Sequence, residues 1–361
     1  VSRQIQPKPF YHAAAAHLAD LWLDSVTVFE RHNIPVEAWS KAEWLDASFN
    51  SWREMVEPVA AEVTQAMVLP GADNVPEELT QLLGNSGFLN NLGSTFFGIQ
   101  MAQALASLAN EVYSSTDIGF PLAPGRTALL PNGFKTLGDE IEVPAQEVLL
   151  YLAVRESALI RLHRTNPWLR EDIMALVSRY ARGIRVDMNR IQDAASQVNM
   201  HDPEAVQEAF EGGMFNPQRT EDQELAVERL EALLALIEGW VSFVADQATQ
   251  NLPKAPQIAE TFARRRVEGG PSEQVFETLV GLEIRPRMVR EATAFWRDYD
   301  EKHGFEARDN LWLAPETLPT AKELENFKKY EDRVSEQLSF DDVDFDSELK
   351  KLLDGGDDDN K

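Results

Sequence analysis

Apolar residues recur at helical spacing over most of the chain. One such stretch runs from Ala13 to Arg31, and a second runs from Trp39 to Met67, where Ser40 and Glu43 have the spacing of a capping box. A third predicted helical stretch lies between Gly87 and Tyr113 and contains small residues along its length. The pattern therefore predicts a mainly α protein.

The segment from Thr116 to Leu137 interrupts this periodicity. Pro121, Pro124, Pro131 and two glycines separate short apolar runs there. Proline and glycine break helices and often stand at the ends of strands. We therefore expect a minor β element around residues 116–137, made of one or two short strands.

Helical periodicity returns at Pro144 and continues to about Arg164. Asn166 and Pro167 have the types expected at the start of a further helix, which the pattern extends to about Val198. Thr220–Gln250 is predicted to be a long helix with one strongly apolar face. Shorter helices are predicted from Asp202 to Gly212 and near Ile258–Glu268, Ser272–Leu282 and Pro286–His303.

The last residues differ from the rest in charge. Residues 331–361 contain 12 acidic and 4 basic side chains, and we expect the tail to be disordered in isolation. Two roles fit such a tail, a solubilising one and docking on a basic groove of a partner. We predict three regions: an N-terminal helical region over 1–115, a core over 116–332 that holds helices 144–164 and 220–250, and the acidic tail over 333–361.

Composition narrows the functional classes. The 361 residues carry a net charge of −26, which disfavours binding to nucleic acid. Arg264–Arg266 and the pair Arg285 and Arg287 are either anion sites or, the better-supported reading, solvated helix faces. The absence of cysteine excludes thiolate chemistry and favours a cytoplasmic location. No apolar run is long enough to span a membrane, and because the sequence starts at Val1 we expect a preceding segment to be missing.

The helix that starts at Pro144 carries a pattern close to a metal-binding one. In H-E-x-x-H, two histidines four residues apart bind zinc from one helix face, and the glutamate polarises the metal-bound water. Here Glu156 is present, but Arg155 occupies the first histidine position and Leu159 the second. None of the six histidines of the chain forms an H-x-x-x-H pair.

Several stretches together resemble actinobacterial zincin-like proteins labelled as metallopeptidases or hydrolases. The resemblance covers the chain to about Asp332. It is carried by Leu18–Asp24, Trp39–Trp44, Thr116–Gly119, Pro167–Arg170, Leu236–Val241, Gly269–Gln274 and Leu279–Glu283. It implies a zincin-like metallopeptidase fold, zinc in the intact members, a general base at Glu156 and a third metal ligand at Glu238. The chain looks like a member of a branch of this family in which the H-E-x-x-H motif is degenerate.

Losing two imidazoles leaves too few ligands for tight zinc binding, so we expect no metal or other cofactor. The guanidinium of Arg155 is suited to take the place of the cation and to neutralise Glu238 and Glu156. The alternative is that Arg155 points to solvent. His163 lies two turns beyond Glu156, about 10 Å along the axis, and cannot replace a ligand at position 159. Ser157 has no histidine at helical spacing to activate it, so a serine nucleophile is weakly supported.

Two functional classes follow, with enzymatic activity an open question. The first is a non-catalytic pseudo-peptidase that acts by binding a protein partner. The second is an active metal-dependent hydrolase or peptidase that uses Glu156 as its general base. A weaker third possibility is a protein that binds small molecules or peptides in the cleft that holds the active site in intact family members. The missing histidines favour the first class. Neither the partner nor the oligomeric state can be predicted from the sequence.

Overall fold

The computed structural model describes residues 10–68, 98–99, 101–183, 220–267 and 288–336. These ranges are mainly helical, and one small sheet lies among the helices, as the sequence predicts. The helices are α1 (Phe10–Leu23), α2 (Lys41–Val68), α3 (Pro131–Glu140), α4 (Ala145–Thr165), α5 (Trp168–Arg182), α6 (Glu221–Ala248), α7 (Ala255–Val267), α8 (Val289–Asn310) and α9 (Ala321–Leu324). Residues 101–108 and 327–336 are also helical.

Two helices form the centre of the molecule. Every residue of α4 from Tyr151 to His163 is buried, and α6 is buried along most of its length. A helix that is enclosed on all sides must be apolar or must satisfy its polar groups internally. α4 packs against α1, α3 and α6, while α6 packs against α5 and α8. Most polar residues in the middle of α4 therefore find partners inside the protein, and Ser157 is an exception among the described residues.

Capping boxes in the sequence explain where α2 and α6 begin. Ser40 and Glu43 form the predicted capping box at the start of α2, with each side chain bonded to the other residue's backbone N–H. Thr220 and Gln223 do the same at the start of α6. Such caps satisfy N–H groups that the first turn of a helix leaves unpaired.

The sheet has two parallel strands, β1 (Val36–Ala38) and β2 (Thr127–Leu129). Val36 pairs with Thr127 and Ala38 pairs with Leu129. β2 is the predicted minor β element, and it is fully buried against α4. β1 was not predicted from the sequence, because a three-residue strand is too short to show an alternating pattern.

Three predictions about helix ends are wrong. α1 ends at Leu23 rather than Arg31, because the following segment is held by Asp309, which accepts hydrogen bonds from Thr27 Oγ1 at 2.6 Å and Val28 N at 3.0 Å. Residues 131–137, which lie in the predicted minor β region around 116–137, instead begin helix α3, as proline is tolerated in a first helical turn. The Asn166 amide does not cap α5, since it donates to Leu162 O at the end of α4.

Other predictions are met in part. The helix predicted near Pro286–His303 is observed as α8, with a kink at Gly304, where φ is 80°. Part of the helix predicted between Gly87 and Tyr113 is observed, since 101–108 is helical. α5 ends at Arg182, and the remainder of its prediction to Val198 lies outside the described residues. The predictions for Asp202–Gly212, Ser272–Leu282 and most of the tail lie outside them too, although 333–336 is helical. The three-region division stays a prediction.

Candidate functional site

The predicted ion pair between Arg155 and Glu238 is confirmed. The Arg155 guanidinium donates to both carboxylate oxygens of Glu238, at 2.7 and 2.9 Å, and to Ser242 Oγ at 3.2 Å. Ser242 Oγ in turn donates to Glu238 Oε1 at 3.0 Å. The Arg155 and Glu238 side chains are only 8% and 3% exposed. The packing of α4 on α6 thus brings the two charges together inside the protein.

The surroundings keep Arg155 charged. Burial alone would lower the pKa of Arg155, but the nearby Glu238 carboxylate outweighs this effect and the pKa is raised. The guanidinium also lies over the Phe262 ring of α7, 5.2 Å from its centroid. A permanent positive charge therefore occupies the space in front of Glu238.

Glu156 belongs to a different polar cluster from its neighbour Arg155. Its carboxylate accepts hydrogen bonds from the hydroxyls of Ser115 and Thr116 and, at 2.7 Å, from Thr127 of β2. The Glu156 residue is 1% exposed. The expectation that Arg155 neutralises both glutamates is therefore only half met. Consecutive helical residues point about 100° apart, so hydroxyls rather than the guanidinium satisfy Glu156.

Leu159 lies one turn beyond Arg155, on the same face of α4. It is 3% exposed and belongs to the hydrophobic core. Leu159 is thus an apolar side chain that is well packed in the core. It has no atom that could bind a metal.

The residues at this position do not fit a zinc ion. A protein zinc site needs three or four N, S or O ligands, and a guanidinium already holds the one carboxylate that faces it. Across the parts of the chain that the structure describes, no three His, Cys, Asp or Glu side chains are grouped in a way that could hold a metal.

Among the other candidates from the sequence, His163 and Arg265 have structural contacts. The imidazole of His163 is buried and its Nε2 lies 3.2 Å from Gly119 O, and burial lowers the pKa of His163 to about 4. Ser157 is buried and its hydroxyl has no hydrogen-bond partner among the described residues. Arg265 donates to Glu111 O and lies over the Tyr113 ring, while Arg285 and Arg287 lie outside the described residues.

The structure adds a cavity that the sequence did not reveal. It has a volume of about 1020 Å³ and lies between α6, α7 and α8, with Glu238, Ser242 and Asp246 on its wall. These three residues are spaced four apart, so they follow one face of α6. That spacing of polar residues on an otherwise apolar helix is the signal that could have located the cavity wall in advance.

The mainly helical fold, with one small sheet, agrees with the zincin-like fold that the sequence led us to expect. The chain belongs to the zincin-like metallopeptidase family, whose family model matches residues 7–330. No curated protein matches it by sequence.

One solved structure is similar over nearly the whole chain. It is the crystal structure described as "a putative hydrolase with a novel fold" from Chloroflexus aurantiacus, with a TM-score of 0.59, 18% identity and coverage of 93% of this chain and 92% of that one. At this identity the likeness shows the fold alone. Among the described helices, none is both long and apolar enough to cross a bilayer.

Proposed function

We propose that this protein is a non-catalytic zincin-like pseudo-peptidase that acts by binding a protein partner. The observation that carries the proposal is the buried Arg155–Glu238 pair, which places a cation at the first histidine position of the motif. Glu238 is the residue that the family resemblance makes the third ligand. A bound Zn²⁺ would have to displace a desolvated, charge-assisted ion pair before it could reach that carboxylate.

The state of Glu156 supports the same conclusion. A general base needs an oxygen free to take a proton from a water molecule. Three hydroxyls already donate to the Glu156 carboxylate, which is almost fully buried. Its contacts tie the segment around Thr116 and strand β2 to α4, which is a structural role. A cytoplasmic location remains part of the proposal and rests on the absence of cysteine.

The test is to dialyse the purified full chain against trace zinc, measure its metal content by elemental analysis, and assay the same sample for peptidase activity. We expect neither stoichiometric zinc nor hydrolysis. Stoichiometric zinc, together with a peptidase activity that Glu156→Gln abolishes, would instead establish the alternative, a metal-dependent hydrolase with Glu156 as general base.

A further inference from the structure

The cavity beside the Arg155–Glu238 pair has the size of a ligand site. At about 1020 Å³ it is at the upper end of the range for small-molecule and peptide pockets. Its walls come from the second half of α6, the start of α7 and the start of α8. Apolar side chains form much of the surface, among them Leu252, Pro256, Ala259, Ala263, Val289 and Ala294.

The carboxylate of Asp246, like those of Glu260 and Glu291 on the same wall, has no hydrogen bond from the described protein. Glu238 and Ser242 are engaged by Arg155, whereas Asp246, one turn further along α6, is exposed to the cavity and lacks a hydrogen-bonding or ion-pair partner among the described residues. Desolvation by the surrounding protein raises the pKa of Asp246, although Arg155 and Arg297 act in the opposite direction. A carboxylate in such a setting gains from an N–H donor supplied by a ligand.

The remaining charges on the wall leave an acidic excess. Glu260 and Glu291 line the cavity with Asp246, against Arg290 and Arg297 on α8. None of these four other side chains forms an ion pair within the described part of the chain. The whole chain carries a net charge of −26, so its electrostatic field also draws cations toward the surface.

We propose that this cavity binds a protonated alkylamine beside an apolar group, as in a lysine-rich peptide segment, with Asp246 receiving the ammonium. The inference rests on the proposed function, because it takes a segment of a protein partner as the ligand. A free polyamine has the same chemistry, and the experiment separates the two sources.

The test measures binding of a fluorescent peptide of alternating lysine and alanine to the full chain by anisotropy. The same peptide with acetylated lysines, and unlabelled spermidine as a competitor, are run in parallel. We expect the unmodified peptide to bind and the acetylated one not to bind. Displacement only by unlabelled peptide identifies a peptide segment as the ligand. Displacement by spermidine at equal concentration identifies the free amine. Both outcomes support binding of a protonated alkylamine in the cavity.

Three variants separate the cavity from general attraction to an acidic protein. Asp246→Asn should weaken peptide binding about tenfold, the loss typical of one hydrogen bond to a charged group. Asp139→Asn, at an exposed position of α3, changes the net charge equally and should leave binding unchanged. Ala294→Trp should block the cavity and abolish binding, whereas Ala294→Ser should not, with circular dichroism confirming the fold of each.

Equal weakening by Asp246→Asn and Asp139→Asn would overturn the inference, as would equal binding of the acetylated peptide or no binding at all. Zinc content and peptidase activity are measured on the same preparation. Zinc with activity would overturn the proposed function and leave a positive binding result standing. Absence of binding in a zinc-free, inactive protein would overturn only the cavity proposal.

Discussion

Arg155 and Glu156 are consecutive residues, yet their side chains enter two separate polar clusters on different sides of α4. Arg155 bonds to Glu238 and Ser242 of α6, and Glu156 accepts from three hydroxyls near β2. In H-E-x-x-H the same two positions serve one metal centre. Here each has its own set of partners, and so each can be tested alone.

Removing the guanidinium should destabilise the fold strongly. We expect Arg155→Met to lower the free energy of unfolding by about 3–5 kcal/mol, because it leaves the Glu238 charge buried without its cationic partner. Urea unfolding at neutral pH measures the change. Arg179→Met is a matched control, since it breaks an ion pair with Asp222 whose side chains are 42% and 60% exposed, and it should lower the stability far less than Arg155→Met does.

A double variant shows whether the loss of stability comes from removing the ion pair or from leaving one buried charge without its partner. Arg155→Met combined with Glu238→Met should be more stable than Arg155→Met alone, because apolar residues of similar volume often replace a buried ion pair at little cost. A double variant as unstable as the sum of the two single ones would show that the charges do not act as a pair.

Glu156 should behave as a structural acceptor. We expect Glu156→Gln to lower the free energy of unfolding by about 1–3 kcal/mol, because the amide cannot accept from all three hydroxyls. Ser157→Ala is the contrast, since the Ser157 hydroxyl has no hydrogen-bond partner among the described residues. That change should be close to neutral in the same urea unfolding measurement. A loss of equal size in both variants would contradict the role given to the hydroxyl cluster.

The resemblance to the zincin-like family led to the prediction of the Arg155–Glu238 pair, because it assigns both residues to ligand positions of one metal site. Their opposite charges then gave a specific reason to expect an ion pair. The partners of Glu156 could not be found in this way. Ser115 and Thr116 lie in a turn-rich segment and Thr127 in a three-residue strand, where no periodicity marks which side chains face inward.

Long-range hydrogen bonds explain why the predicted end of α1 is wrong. Asp309 holds Thr27 and Val28 from more than 280 positions away in the chain, and it also accepts from Trp240 Nε1 at 2.9 Å. Local apolar spacing extends through this segment, but the tertiary contacts determine its conformation. A pattern read within one helix cannot predict a partner that distant in sequence.

Introducing two histidines on α4 should create a metal site. Arg155→His together with Leu159→His would place two imidazoles one turn apart on α4, facing the freed carboxylate of Glu238. We expect this variant to be less stable than the natural chain without metal, to take up one zinc ion, and to gain roughly 3 kcal/mol of stability at a zinc concentration of about 100 Kd. Differential scanning calorimetry with and without zinc measures the gain.

The matched control for that experiment is Arg155→His with Leu159→Ala, which supplies a single imidazole and the same loss of the ion pair. It should show no zinc-dependent rise in Tm. If the two-histidine variant folds and also fails to respond to zinc, this face of α4 is not the metal position of the family.

Acid should destabilise the protein through buried His163. Burial lowers the pKa of His163 to about 4 from 6.5, so below pH 6.5 the unfolded chain takes up a proton that the folded one does not. Stability attributable to this group is therefore constant above pH 6.5, falls by about 1.4 kcal/mol per pH unit below it, and levels off near pH 4. His12 and His32, whose pKa values burial also lowers, add to the same trend.

His163→Gln separates this contribution from the rest, because the amide can still donate to Gly119 O but does not titrate. Between about pH 7.5 and about pH 5, the loss in free energy of unfolding should be about 2 kcal/mol smaller in this variant than in the natural chain. Urea unfolding at both pH values gives the difference. An unaltered pH dependence in His163→Gln would mean that the His163 imidazole is protonated equally in the folded and unfolded states, which is incompatible with its burial against Gly119.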